Sequence, residues 1–422
     1  MMGQGGAKAR GKTPSYQSGP ISPRLCRCVT IDGLWGTALR HNGAWFRAFC
    51  PSLAVSAPPP PLEQMHLKTS TLSFALLVLA GLSCAHAARP ASMQFTHLAW
   101  DLACDNTRTC RAAGYYDEVG SDEDNASGRA PLPVSVLLTR EAGPHTPIQG
   151  EVQLDEETMV NWARELSLTL RIDGKPSGTV VLDHRTGTFP LPQQQTILLV
   201  LALTRNSQIA WSDGRRSWKL SDAGAAAVLL KMDEFQGRLG TPGSVMRKGT
   251  RDENTVLPPL PVPVIQAAAV PPGGPISLPA SERASLRSAL AASTKECSTL
   301  EQGQPPGEMT VHRLSATKLL VSTVCWVTAY NEGEGYWVVN AKAPYAPRMV
   351  TPHASGYADG AISASHKLDS LGDCAEIEKW VWNGRRFVHA SQGTTGQCMP
   401  LVVGGAWSLP VLVTTVRPAA RP

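Results

Sequence analysis

The chain has 422 residues, 42% of them hydrophobic, and a formal net charge of +5 at pH 7. That charge is unevenly placed: residues 1–87 hold eight Lys or Arg against two Asp or Glu, which leaves 88–422 near −1. A near-neutral body of this kind gives no electrostatic case for nucleic acid or for an anionic membrane surface.

Residues 1–64 scatter Gly, Pro and Arg without apolar periodicity and read as a disordered extension. A misassigned start, with translation beginning at Met65, explains them most simply. A cytoplasmic tail on a signal anchor is the alternative. From Met65 to Ala87 the three parts of a secretory signal follow one another: Lys68, an apolar run from Leu72 to Leu82, and the small-residue end Ala85-His86-Ala87. The run is shorter than the ~20 residues that span a bilayer. Cleavage after Ala87 is therefore expected, to give a periplasmic or secreted protein, with membrane contact only through an uncleaved signal segment. Six cysteines follow it: Cys104, Cys110, Cys297, Cys325, Cys374 and Cys398. In an exported chain they read as three disulfides, with fifteen possible connectivities and a spacing that favours neighbouring pairs.

The 335 residues from 88 onward suffice for two domains. The first, 88–256, opens on alternating Trp100, Leu102 and Cys104, as in a half-buried strand. An acidic stretch from Asp117 to Gly128 resembles a calcium loop at Asp122 and Asp124. Ala126 stands where the next oxygen ligand belongs, so the stretch reads as solvated. Strands are expected at 133–140, in GEVQL, and in LSLTLRID turning at Asp173-Gly174 into GTVVLD. Pro192 should open a helix through Ile197–Leu203, buried on more than one face. A hairpin around Asp213-Gly214 follows, and then a helix capped by Ser221 and ended by Gly237.

Residues 257–280 are a Pro-rich connector whose Val262, Val264 and Ile265 are too apolar for a free linker. The second domain, 281–422, begins with a helix capped by Ser281. Strands follow in LLVSTVCWVTAY and GYWVVNA, then a hairpin at Asn383-Gly384 between Trp380-Val381-Trp382 and Phe387. A last strand interrupted by Pro410 belongs at an edge. The fold class is α+β, mostly β: two β-rich domains, each with one or two packed helices, braced by disulfides.

Chemistry-bearing patterns are sparse. After residue 87 no Gly-x-Ser-x-Gly, Gly-x-x-x-x-Gly-Lys or Cys-x-x-Cys occurs, and no two of the seven histidines there lie three to five residues apart. No catalytic, cofactor-binding or metal residue is assigned, and no cofactor. Asp373, Glu376 and Glu378 cluster as a glycosidase pair would, or sit in a solvated turn. Arg108 rides on the small loop between Cys104 and Cys110, as a specificity residue does in some protease inhibitors, or is simply braced there. Trp326, Trp337, Trp380 and Trp382 either line a sugar or peptide groove or fill a sandwich core.

Several long strings resemble one family of exported proteobacterial proteins, domain of unknown function 1176. They are WDLACDNTRTCRAAGY, PVSVLLTREAGP, LSDAGAAAVLLKMDEFQGRLGTPG, and LGDCAEIEKWVWNGRRF with TTGQC behind it. The resemblance implies an envelope or secreted location and no particular activity. On these grounds the expected function is a non-catalytic binding or interaction module with an envelope protein or cell-wall ligand as partner. The alternatives are a periplasmic hydrolase of cell-wall sugar or peptide, or an inhibitor of a protease or lysozyme.

Overall fold

The computed structural model describes residues 92–117, 132–155, 158, 165–183, 188–301 and 307–419. The extension, the signal segment and the acidic loop at Asp122 and Asp124 lie outside the described residues. In chain order the first half holds β1 (Met93–His97), β2 (Trp100–Cys104), β3 (Cys110–Tyr115), β4 (Val134–Arg140), β5 (Ile148–Leu154), β6 (Glu165–Ile172), β7 (Lys175–Asp183) and β8 (Thr188–Pro190). Helix α1 (Gln193–Leu203), strands β9 (Ile209–Ser212) and β10 (Ser217–Leu220), and helix α2 (Ala225–Phe235) complete it. The strands form a six-stranded sheet, β1-β2-β3-β4-β5-β8, and a four-stranded sheet, β10-β9-β6-β7.

Strand β2 shows how the sequence sets the layers. Trp100, Leu102 and Cys104 face a core they share with both helices and the second sheet. Ala103 points the other way, joining Ala113, Tyr115 and Leu137 under Trp407 and Leu409 from the end of the chain. The period of two thus serves two cores at once. Gly114 is required opposite Trp100, because a Cβ there would run into the benzene ring of the indole.

The helix starts differ from expectation. Ser221 accepts from the Ala223 amide at 3.3 Å, but α2 begins only after Gly224, whose left-handed backbone lies against the His97 carbonyl. Pro192 caps α1 rather than opening it, and Ile197 and Leu201 on its outer face are exposed rather than buried. A run of apolar residues does not report which of them meets a sheet.

A buried ionic knot closes this half. Asp233 accepts from Ser244 Oγ and from the Val245 and Met246 amides at 2.7–3.0 Å, with Arg140 3.4 Å away. Arg238, fully buried, donates to the Gly143 carbonyl and lies 3.5 Å from Glu253. Burial, and then the neighbouring Arg140, lower Arg238 to about 10.

Beyond residue 256 the connector contributes β11 (Val264–Gln266), and α3 (Ala280–Ser293) begins one residue before Ser281, with Pro279 as its cap. Then come β12 (Thr310–Arg313), β13 (Lys318–Val327), β14 (Glu332–Asn340), β15 (Arg348–Ala354), β16 (Gly356–Ala358) and β17 (Ala361–Lys367). The last are β18 (Ala375–Trp382), β19 (Phe387–Thr394), β20 (Leu409–Leu412) and β21 (Thr415–Arg417). Strands β12-β13-β14-β15 make one sheet and β16-β17-β18-β19-β20 another, with Pro410 on the edge strand.

This half has three layers. Leu319, Val321, Trp337 and Val339 meet α3, while Leu320, Tyr336 and Val338 on the reverse face meet Ile362, Trp380 and Trp382 of the second sheet. Ile265 of the connector covers the outer face of that sheet at Val381 and Ala390, and β11 pairs in parallel with β21. Val262 and Val264 stay exposed. Disulfides join Cys104 to Cys110, Cys297 to Cys325 and Cys374 to Cys398, each between cysteines consecutive in the chain. The fold is mostly β, with three helices longer than a single turn among the described residues. No helix among them is long and apolar enough to cross a membrane.

Candidate functional site

The inner face of β18 runs from apolar to charged: Trp382, Trp380, Glu378. Trp382 is sealed in the inter-sheet core, and Glu378 stands at its open end. In β19 the register shifts by one residue, so that Trp380 pairs with His389 while Lys379 pairs with Ser391. That bulge places the His389 ring flat on Trp380, with centroids 5.0 Å apart and an interplanar angle of 13°.

From the facing sheet, β15 brings His353. Its Nε2 lies 3.0 Å from Glu378 Oε1, and His389 Nε2 lies 2.9 Å from Oε2. Only the first contact has hydrogen-bond alignment; the second is a close approach without it. His366 of β17 donates through Nε2 to the His353 carbonyl. Its ring lies 5.3 Å from Trp326, and His353 in turn lies 5.9 Å from Trp380. Trp326, His366, His353, Trp380 and His389 therefore form a chain of ring contacts around one carboxylate. Gly333, paired across from Trp326, leaves the space the indole occupies. Asn331 ties the neighbouring turn to this edge by bonding both backbone groups of Lys367.

Two further groups border the same core. Burial, and then the Glu334 carboxylate it donates to, push the Tyr336 phenol far above its ordinary range. Burial lowers His312, whose ring lies 4.8 Å from Tyr357, against a smaller opposing pull from Glu334. Chemically the open end offers aromatic and imidazole faces for stacking, and a carboxylate hydrogen-bonded to one imidazole with a second close by. Imidazole and carboxylate are ligand types for zinc, yet both Nε2 atoms here lie within 3.0 Å of the Glu378 carboxylate itself. Among the described residues, ligand atoms do converge at Asp369, Asp373, Cys374 and Cys398, but the two cysteines are bonded to each other.

The residues singled out in the sequence fall in different places. Trp326 and Trp380 belong to the ring chain, whereas Trp337 and Trp382 are fully buried on opposite sides of the β12–β15 sheet. Arg108 is half-buried, with positive φ; its guanidinium donates to the Pro258 carbonyl and its own carbonyl accepts from Gln236. Asp105 organises that loop by accepting from Thr107 and from Arg111. The three clustered carboxylates separate: Glu378 goes to the histidines, Glu376 is exposed, and Asp373 is buried beside Cys374 rather than solvated. His353, His366 and His389 were not singled out, since spacing along one helix cannot reveal partners drawn from three strands.

A family model described as "Protein of unknown function (DUF1176)" matches residues 94–414. The chain is 26% identical over 327 residues to the uncharacterized protein YpfG of Escherichia coli (strain K12), covering 71% of this chain and 86% of that protein. No solved structure matches.

Proposed function

We propose a function from the premise that the chain belongs to the DUF1176 family, as its match over residues 94–414 shows. It is an exported, non-catalytic binding or interaction module of the cell envelope, released after a signal at 65–87. Its two β-rich domains, 88–256 and 281–422, are joined through 257–280. Three disulfides support an oxidising compartment, where such bonds persist.

One observation carries the non-catalytic part. A glycosidase-like pair needs two carboxylates facing one bond, one of them free to hold a proton. Here Glu378 is clasped by His353 and His389, Glu376 lies in solvent and Asp373 is buried elsewhere. The stacked rings beside Glu378 suit recognition of a flat or apolar ligand face better than bond cleavage. The test is incubation of the oxidised protein with purified cell-wall sacculi. Co-sedimentation without release of soluble glycan or peptide is expected. Release of fragments that Glu378→Gln abolishes would replace this reading with the hydrolase.

A further inference from the structure

A second feature stands apart from the ring chain: a cleft of about 570 Å³ where the two halves of the chain meet. Its construction follows from the fold. Leu132 pairs with Trp218 at the edge of β10 and brings Pro133 with it. Across from them, the segment after Cys398 is held in place twice. Leu401 is sunk in the core of the first half, and the Cys374–Cys398 bridge ties that segment to Leu371–Asp373. The Gly404 amide adds a bond to the Gly372 carbonyl. The walls are thus stapled and mainly apolar.

Two observations point to an occupant. Asp155, only 7% exposed, lines the cleft; its Oδ1 accepts from the Thr158 amide at 2.7 Å, while its buried Oδ2 has no hydrogen-bond partner among the described residues. A buried carboxylate oxygen without a donor is costly unless something supplies one. Second, Leu371 at 74% and Val403 at 81% are the most exposed large apolar side chains among the described residues, and both lie on this cleft. Arg216 and the buried Asp373 also line it, Arg216 braced through Nε by Asp213 and laid 5.2 Å over the Trp218 ring. A buried acceptor, a braced guanidinium and an apolar lip together match a molecule carrying an ammonium, a carboxylate and an apolar body.

We propose that this cleft binds a small zwitterion with an apolar side chain, a free amino acid or short peptide. Asp155 receives the ammonium, Arg216 the carboxylate, and Leu371 and Val403 the apolar group. The site goes beyond the module reading and does not depend on whether the ring chain is catalytic.

The experiment is calorimetric titration of the oxidised protein with the dipeptide leucyl-alanine, its N-acetylated form and its C-terminal amide. Saturable binding of the free dipeptide is expected, weakened at least about tenfold by acetylation or by Asp155→Asn. Arg216→Gln should remove the preference for the free carboxylate over the amide. Equal binding of the acetylated and free dipeptides to the unaltered protein would overturn the proposal, whatever the variants do. So would the absence of saturable binding, or an Asp155→Asn protein that melts normally and binds unchanged.

Discussion

The two halves of the molecule meet the same problem, holding a twisted sheet under cover, by different means. The first half gathers both helices and both sheets on one large apolar core and seals its surface with Arg140, Asp233, Arg238 and Glu253. The second divides its apolar residues between two smaller cores on opposite faces of one sheet, and adds two disulfides that close 24 and 28 residues. A half with one deep core can bury charge. A half with shallow cores relies on covalent bracing and gathers Glu378 with its histidines at an open end.

That contrast can be broken where the charge is deepest. Asp233→Ala leaves Arg140 buried without its partner and removes the acceptor for three donors; it should cost about 3–5 kcal/mol by denaturant titration. A loss under 1 kcal/mol would mean that the ionic knot is incidental to the first half. The disulfides come next. Replacing Cys374 and Cys398 together by Ser should cost about 3–4 kcal/mol, because the bridge closes a long loop. The same change at Cys104 and Cys110, which close six residues, should cost about 2. Equal losses would erase the asymmetry.

Acid should separate the halves further. His312 in the second half is held below its ordinary value of 6.5 by burial, so folding favours its neutral form. The stability this gives is complete above pH 6.5 and is lost as pH falls through its lowered value. For Glu253 in the first half, burial pushes upward, but the hydrogen bonds it accepts and the Arg238 charge hold it below 4.5. Its contribution is complete above pH 4.5 and lost as pH falls below that. Tyr357 ring signals by NMR should therefore respond to acid before the Gly243 amide does, and the reverse order would refute the assignment. The smallest effect is expected at Glu378→Gln. The group is partly exposed, so the stability loss should stay within about 1 kcal/mol, while tryptophan fluorescence changes through Trp380.

Much of the fold was legible where local chemistry decides it. Asp173-Gly174, Asp213-Gly214 and Asn383-Gly384 all mark turns between paired strands. The turns Asp213-Gly214-Arg215-Arg216 and Asn383-Gly384-Arg385-Arg386 share one device: Asp213 and Asn383 each accept through Oδ1 from the amides two and three residues on. The open end of the second half was not legible. Strand β15, RMVTPHA, which carries His353, is interrupted by Pro352, and β17, AISASHK, which carries His366, has Ile362 as its one large apolar side chain, so neither shows a strong apolar alternation. They exist because they pair with β14 and β18. Partners drawn from separate strands leave no spacing to read. Asp155 is hidden for the same reason, since one wall of its cleft, from Leu371 and from Leu401 to Val403, comes from residues more than 200 positions away.

Trp407 and Leu409 cover Ala103, Ala113, Tyr115 and Leu137, and the Trp407 indole donates to Ser135 at 2.6 Å. A chain made from its N-terminus therefore presents this sheet with one face bare for roughly three hundred residues of synthesis. The closing piece arrives only after strands β12 to β19 of the second half have been made. Until then the half with the larger core is unfinished, and any factor that grips exposed apolar sheet has its target there. Completion of the first half is timed by the second.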